Sequence, residues 1–171
     1  GGRLQLGVGV GWMEAEFRAL GVDRRRRGAL TDELLAFLNT CFTHDEVTLN
    51  GQRFLFRPRP ARPPFLIGGA AAHAFERIVS HGDGWMPMDG KPEALREPVR
   101  ELTARMLAAG KAAPAVIPLA GLPLEDPARA TAQLQALAEI GVSGIVHAGK
   151  YADADEFARV VERLQAATAG G

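Results

Sequence analysis

Two glycine-rich stretches carry the residue types best suited to holding an anionic cofactor. Gly68-Gly69-Ala70-Ala71 follows the apolar run Phe65-Leu66-Ile67 and precedes a helical pattern, so it sits where a strand hands over to a helix N-terminus. Free backbone N–H groups and the helix dipole favour an anion there, with a phosphate as the natural occupant and a plain tight turn as the alternative. The second stretch, Leu6-Gly7-Val8-Gly9-Val10-Gly11-Trp12, repeats glycine at every second residue. Glycine permits close backbone approach to a ligand or a sharp turn. The third glycine arrives too early for a dinucleotide fingerprint, so ligand contact and simple strand–helix packing both stay open for this stretch.

Other chemistry-bearing residues are sparse. Trp12 and Trp85 stand at strand ends, where either could line a pocket for a flat aromatic ligand, although packing is the default use of Trp. Glu14 is better placed than Glu16 to reach the strand ends, against a plain solvent-facing helix charge. Among His44, His73, His81 and His147 no two have metal-partner spacing, so no metal site is expected. Only His147 falls at a strand end, where a satisfied core histidine competes with an acid or base. The single Cys41 lies in the apolar pattern of a helix and has no partner for an internal disulfide, and no Ser stands in a nucleophile setting.

The elements that must position these residues alternate in period. Helical spacing marks Trp12 to Leu20, and again Ala29 to Phe42, with Leu30, Leu34, Phe37, Leu38, Cys41 and Phe42 as its buried face. The period changes to two through Val47, Leu49, Phe54 and Phe56, with Asn50-Gly51 between the halves, which predicts a β-hairpin at about 46–57. Pro58, Pro60, Pro63 and Pro64 then make an extended return to the strand at Phe65. Further strands are expected around Asp83 to Met88, Ala115 to Ala120 and Gly144 to Ala148. Pro118 disfavours a regular central ladder in the second of these. Helices are expected through Phe75, Ile78 and Val79, from Pro92 to Ala109 with Pro98 causing a kink or late start, from Asp126-Pro127 to Ile140, and from Asp153 to Ala167 with Phe157, Val160, Val161 and Leu164 buried.

Strands recurring with helices between them imply parallel pairing and an α/β fold. Five strand–loop–helix units, on counting alone, favour a small open doubly wound sheet over a closed barrel. The 171 residues, 47% of them hydrophobic, suffice for one domain. Twenty basic residues balance twenty acidic ones, so no global field attracts nucleic acid or an anionic membrane, and the Arg24–Arg27 run reads as a solvated face. No apolar run reaches the ~18 residues needed to cross a bilayer. A cytoplasmic location is the simplest expectation.

The ordered motifs resemble luciferase-like monooxygenases, above all the coenzyme F420-dependent group. The likeness runs from Leu6-Gly7-Val8-Gly9-Val10-Gly11-Trp12 with Glu14 and Phe17, through Leu20-Gly21-Val22, Arg26-Arg27-Gly28 and the Asn50-Gly51 hairpin. It continues through Pro64-Phe65-Leu66-Ile67-Gly68-Gly69 to His81-Gly82-Asp83-Gly84-Trp85-Met86-Pro87. The resemblance replaces the open sheet with a partial (β/α)8 TIM barrel carrying an inserted β-hairpin, with residues 1–171 as one domain holding strands four to eight. It implies a deazaflavin, coenzyme F420, or reduced FMN as cofactor, and hydride transfer to or from a small organic substrate. Gly68, Gly69 and Ala70 would meet the cofactor phosphate. Gly9, Gly11 and Trp12 would line the cofactor and substrate mouth, and Asp83 and Trp85 would shape the pocket. Trp12 and Glu14 are the candidate catalytic residues. The family often has Asn after the paired glycines, where Ala70 offers backbone alone. A rival reading is a non-catalytic half-barrel that assembles with a second copy or with a separate N-terminal half.

Overall fold

The computed structural model describes residues 2–169. A short strand, β1 (Leu6–Val8), leads through a loop to α1 (Glu14–Ala19) and, after a 3-10 turn at Arg24–Arg26, to α2 (Arg27–Thr43). The hairpin β2 (Glu46–Leu49) and β3 (Gln52–Leu55) follows, antiparallel as its alternating pattern predicts. Asn50 and Gly51 hold φ of +50° and +77°, the double left-handed conformation of a tight two-residue turn. An aromatic series fastens the hairpin side of the molecule to the core, with Phe37 against Phe54 and Phe42 against both Phe56 and Phe65. At the hairpin base the Arg57 guanidinium hydrogen-bonds Asp45 and holds its carboxyl below the usual value. That contact is present above the ordinary carboxylate range and is lost as pH falls through the lowered pKa.

The remaining chain repeats one unit: β4 (Phe65–Gly68), α3 (Ala71–His81), β5 (Gly84–Met86), α4 (Pro92–Ala108), β6 (Ala115–Val116), β7 (Leu119–Ala120), α5 (Pro127–Glu139), β8 (Val146–His147) and α6 (Ala154–Ala169). Strands pair in parallel in the order β1-β4-β5-β6, and β7 pairs with β8. Backbone N–H groups of Ala115, Ile117 and Leu119 donate in turn to the carbonyls of Asp83, Trp85 and Pro87, so β6 and β7 form one line of chain beside β5. The order advances in one direction without the reversal of a doubly wound sheet. The open doubly wound sheet favoured by counting units is therefore corrected to a segment of barrel-type topology, and among the described residues β1 and β8 do not meet to close it.

Pro118 explains why the β6–β7 strand tolerates an imide. Alternate N–H groups point to opposite neighbours, and those directed at β5 belong to residues 115, 117 and 119. Pro118 lacks a donor only on the β8 side, where its carbonyl still accepts from Val146 at 2.9 Å. Beside it, Val116 donates to the Ser143 hydroxyl at 3.2 Å.

Consecutive helices pack on one another from α2 to α6 and cover one sheet face. Phe65, Ile67, Trp85 and Val116 project from the strands into a core completed by Leu35, Phe75, Ile78, Leu95, Val99, Leu102, Met106 and Leu137. Two expectations are corrected. Leu34 is 51% exposed while Leu35 is fully buried, because the face of α2 that meets the sheet runs through Leu35, Leu38 and Phe42. Phe157 is 48% exposed and stacks on Tyr151 at the start of α6 instead of entering the core, whereas Ala167 is buried. Helix α4 begins at Pro92, a favoured first-turn position, and runs on through Pro98, so the late start is not needed. No helix among the described residues is long and apolar enough to cross a membrane.

Gly84 sets the spacing of the central strands. A Cβ there would lie 2.3 Å from the Ala115 carbonyl oxygen and 2.7 Å from the Leu66 side chain. Replacing Gly84 by Ala is expected to lower stability by about 3 kcal/mol, read as a reduced urea midpoint; an unchanged midpoint would show that the strands separate freely.

Candidate functional site

The loop after β4 is built for an open approach. Gly69 holds φ +122°, a conformation L side chains rarely adopt, and nothing lies within 4 Å of the position a Cβ would take. Ala70 is extended (φ −67°, ψ 145°) and starts α3 with no side chain capping the first turn. The Gly69 carbonyl is turned back into the protein, where it accepts the Trp85 indole N–H at 2.8 Å. Exposed N–H groups at a helix start with no side-chain acceptor are the feature an anion requires.

The ends of three strands meet at this loop. A Cβ on Gly68 would touch the Val8 carbonyl at 3.6 Å, the Met86 carbonyl at 3.8 Å and the Gly9 Cα at 4.0 Å. The structure therefore brings Gly9 together with Gly68, Gly69 and Ala70. Gly9, Gly69 and Ala70 are exposed, and no atom crowds the open side of Gly9. The result is a shallow floor of backbone and small residues at the carboxyl ends of the strands, where parallel α/β proteins place ligands.

Other candidates are placed differently. Gly11 has φ +75°, and the Phe17 ring would lie 2.8 Å from a Cβ there, so this glycine seats α1 as well as turning the chain. Trp12 is 75% exposed, with its carbonyl held by Arg24 Nε at 3.2 Å, and Glu14 is an exposed first-turn residue of α1. Neither is in hydrogen-bond contact with the Gly68–Ala70 loop. His147 sits at the carboxyl end of β8, where its Nδ1 accepts the Leu122 N–H at 3.0 Å.

Asp83 and Trp85, expected to shape the pocket, make the following contacts. Trp85 is only 3% exposed and lies on the helix side of the sheet, edge-on to Phe75 with ring centroids 5.2 Å apart. Its register partner is Ile67, whose side chain points into the same core. Asp83 lies at the amino end of β5, the opposite end from the loop. Its Oδ2 accepts the Phe65 N–H at 2.7 Å and the Arg62 guanidinium at 2.6 Å. Arg62 also donates to Asn39 and to the His81 carbonyl and stacks over the Phe65 ring. Arg62 lies among prolines, outside any periodic element, and its only mark in the sequence is the interleaving of arginines with Pro58 to Pro64.

Comparisons with known proteins agree with this architecture. The family profile described as "Luciferase-like monooxygenase" matches residues 1–170. An uncharacterised protein of Mycobacterium tuberculosis strain H37Rv is 31% identical over 96% of this chain and 59% of its own length. An FMNH2-dependent dimethylsulfone monooxygenase of Pseudomonas putida is 26% identical over 66% of this chain and 34% of its own length. Among solved structures, an F420-dependent secondary alcohol dehydrogenase in complex with an F420-acetone adduct superposes with a TM-score of 0.57 at 19% identity, covering 97% of this chain and 62% of that one. The chain thus spans about three fifths of the length of the mycobacterial relative.

Trp85→Phe keeps the ring against Phe75 and removes the bond to Gly69. It is expected to cost about 1 kcal/mol of stability and to raise amide exchange in residues 68–72, measured by hydrogen–deuterium exchange; unchanged exchange there would mean the indole does not hold the loop. Asp83→Ala should cost about 2 kcal/mol in urea denaturation while leaving exchange at residues 68–72 unaltered, since it acts at the far end of β4.

Proposed function

The chain belongs to the luciferase-like monooxygenase family, and from that premise we propose that it forms the cofactor-phosphate side of an F420-dependent oxidoreductase acting on a small organic substrate. The observation that carries the reading is the Gly68-Gly69-Ala70 loop, open on its outer side, joined to Gly9 and leading into a helix start without a capping side chain. The residues present fit a phosphate-bearing cofactor: glycine leaves room for close approach, and the floor beside it is flat backbone. A bound deazaflavin supplies hydride-transfer chemistry. The chain's own part is to bind and orient. The first turn of α3 meets the phosphate, Trp85 fixes the loop from behind, and Ala70 offers its backbone alone. Trp12 on the neighbouring loop and Glu14 in the first turn of α1, both exposed, are proposed as substrate-side groups.

Support for a deazaflavin comes from the F420-dependent dehydrogenase of the same fold. The FMNH2-dependent relative favours a second reading, reduced FMN with monooxygenase chemistry. Assembly is part of the proposal. The outer edge of β1 has no strand partner among the described residues, and such edges are normally covered, here by a second copy or by an N-terminal half of the barrel. Fluorescence titration with F420 and with FMN, beside light scattering after size exclusion, tests both points. Saturable binding of F420, weakened by Gly69→Ala, is the expected outcome. No saturable change with either cofactor, from a chain in whatever assembly it forms, would remove the cofactor site.

A further inference from the structure

A cavity of about 320 Å³ opens at the carboxyl end of β8, between the Leu122–Glu125 segment and α6. Its lining carries His147, Lys150, Arg159, Arg163, Glu125 and Glu156. Both carboxylates are already engaged. Glu125 is paired with Arg163. Glu156 accepts the Ala152 N–H at 2.6 Å, and its own N–H donates to Asp153 Oδ1 at 2.8 Å, so Asp153 caps the first turn of α6. Lys150 and Arg159 form no ion pair among the described residues, so with Arg163 held by Glu125 the lining keeps two unpaired cations beside the Glu156 carboxylate, three positive groups against two negative ones.

His147 adds a directed donor. Because the Leu122 N–H donates to Nδ1, that nitrogen is unprotonated and the ring proton resides on Nε2. No protein acceptor takes the Nε2–H among the described residues. A Cβ at position 149 would fall 2.8 Å from Nε2, so Gly149 keeps that edge of the ring clear.

We propose that this cavity is an oxyanion site that takes a phosphate or the phosphoryl group of a small ligand, held by Arg159, Lys150 and the Nε2–H of His147. A planar guanidinium matches the oxygens of a tetrahedral anion, the ammonium adds charge, and the imidazole contributes a neutral directed bond. The site stands on the last strand, with β5 and the β6–β7 line between it and the loop after β4. It requires no flavin or deazaflavin. The signal in sequence was His147 at the end of the last strand followed by Lys150 and, on the next helix, Arg159.

The test is a titration with inorganic phosphate at ionic strength held constant with chloride, following the ¹H–¹⁵N signals of the His147 ring. A parallel arm uses phenyl phosphate. The expected result is a saturable shift that becomes at least about tenfold weaker in the exposed double variant Lys150→Ala/Arg159→Ala, and that Gly69→Ala leaves unchanged. Gly149→Ala, which crowds Nε2 and keeps both cations, should weaken it as well. Tighter binding of phenyl phosphate identifies the phosphoryl group of an organic ligand as the occupant, and equal or weaker binding identifies the free ion. A linear, non-saturating response, or equal affinity in the double variant, would overturn the assignment. Failure of F420 and FMN to bind leaves this result unaffected.

Discussion

β4 is gripped at both ends by side chains of the strand line beside it. Asp83 takes the N–H of Phe65 where β4 begins, and Trp85, two residues further on, takes the carbonyl of Gly69 just after β4 ends. A parallel pair has no tight turn to fix its register, which is left to side-chain packing and to contacts of this kind. The span between the two contacts is the length of β4 itself. The position of the Gly68–Ala70 loop is thereby referred to β5, and the start of α3 follows from it.

The resemblance implies that both residues shape the pocket; here Asp83 binds the start of β4 and Trp85 binds the loop that follows it. The physical reason lies in strand alternation. Trp85 pairs in register with Ile67, so its ring takes the helix side of the sheet, while the three residues of β5 are too few to show an alternating pattern on their own. Asp83 precedes the strand, on the side away from its carboxyl end, and only the pairing with Phe65 places it there. What was legible was order and type of element. Asn50-Gly51 dictated the hairpin because both positions need positive φ, and the glycine pair after Phe65-Leu66-Ile67 marked the strand-to-helix handover. What was not legible was which of two adjacent leucines in α2 faces inward. Leu34 and Leu35 both fit a helical stripe, and the choice is made by the sheet against which the helix packs.

The direction of strand order was also beyond the reach of counting. Alternating strands and helices are shared by sheets that reverse and sheets that advance, and only the sequence of neighbours separates them. Here β1, β4, β5 and β6 add on one side in turn, which brings the carboxyl ends of successive strands into a common rim. On the sheet face away from the helices, Gly7 packs against Met86 and Gly84 fits between Leu66 and Ala115. Small residues here let the strands approach closely.

The strand carrying Pro118 gives the molecule a seam. On its β5 side the ladder is continuous, but on its β8 side one backbone donor is missing and two others are answered by side chains, Ser143 for Val116 and His147 for Leu122. Beyond that line the β8–α6 unit packs with Leu122, Leu124 and Ala130 of the preceding segment in a second small cluster that includes Ala167 and meets the main core at Ile145. The last strand is thus held to the sheet by fewer backbone bonds than the strands before it, and α6 is secured through α5, with Thr131 donating to the Ala167 carbonyl.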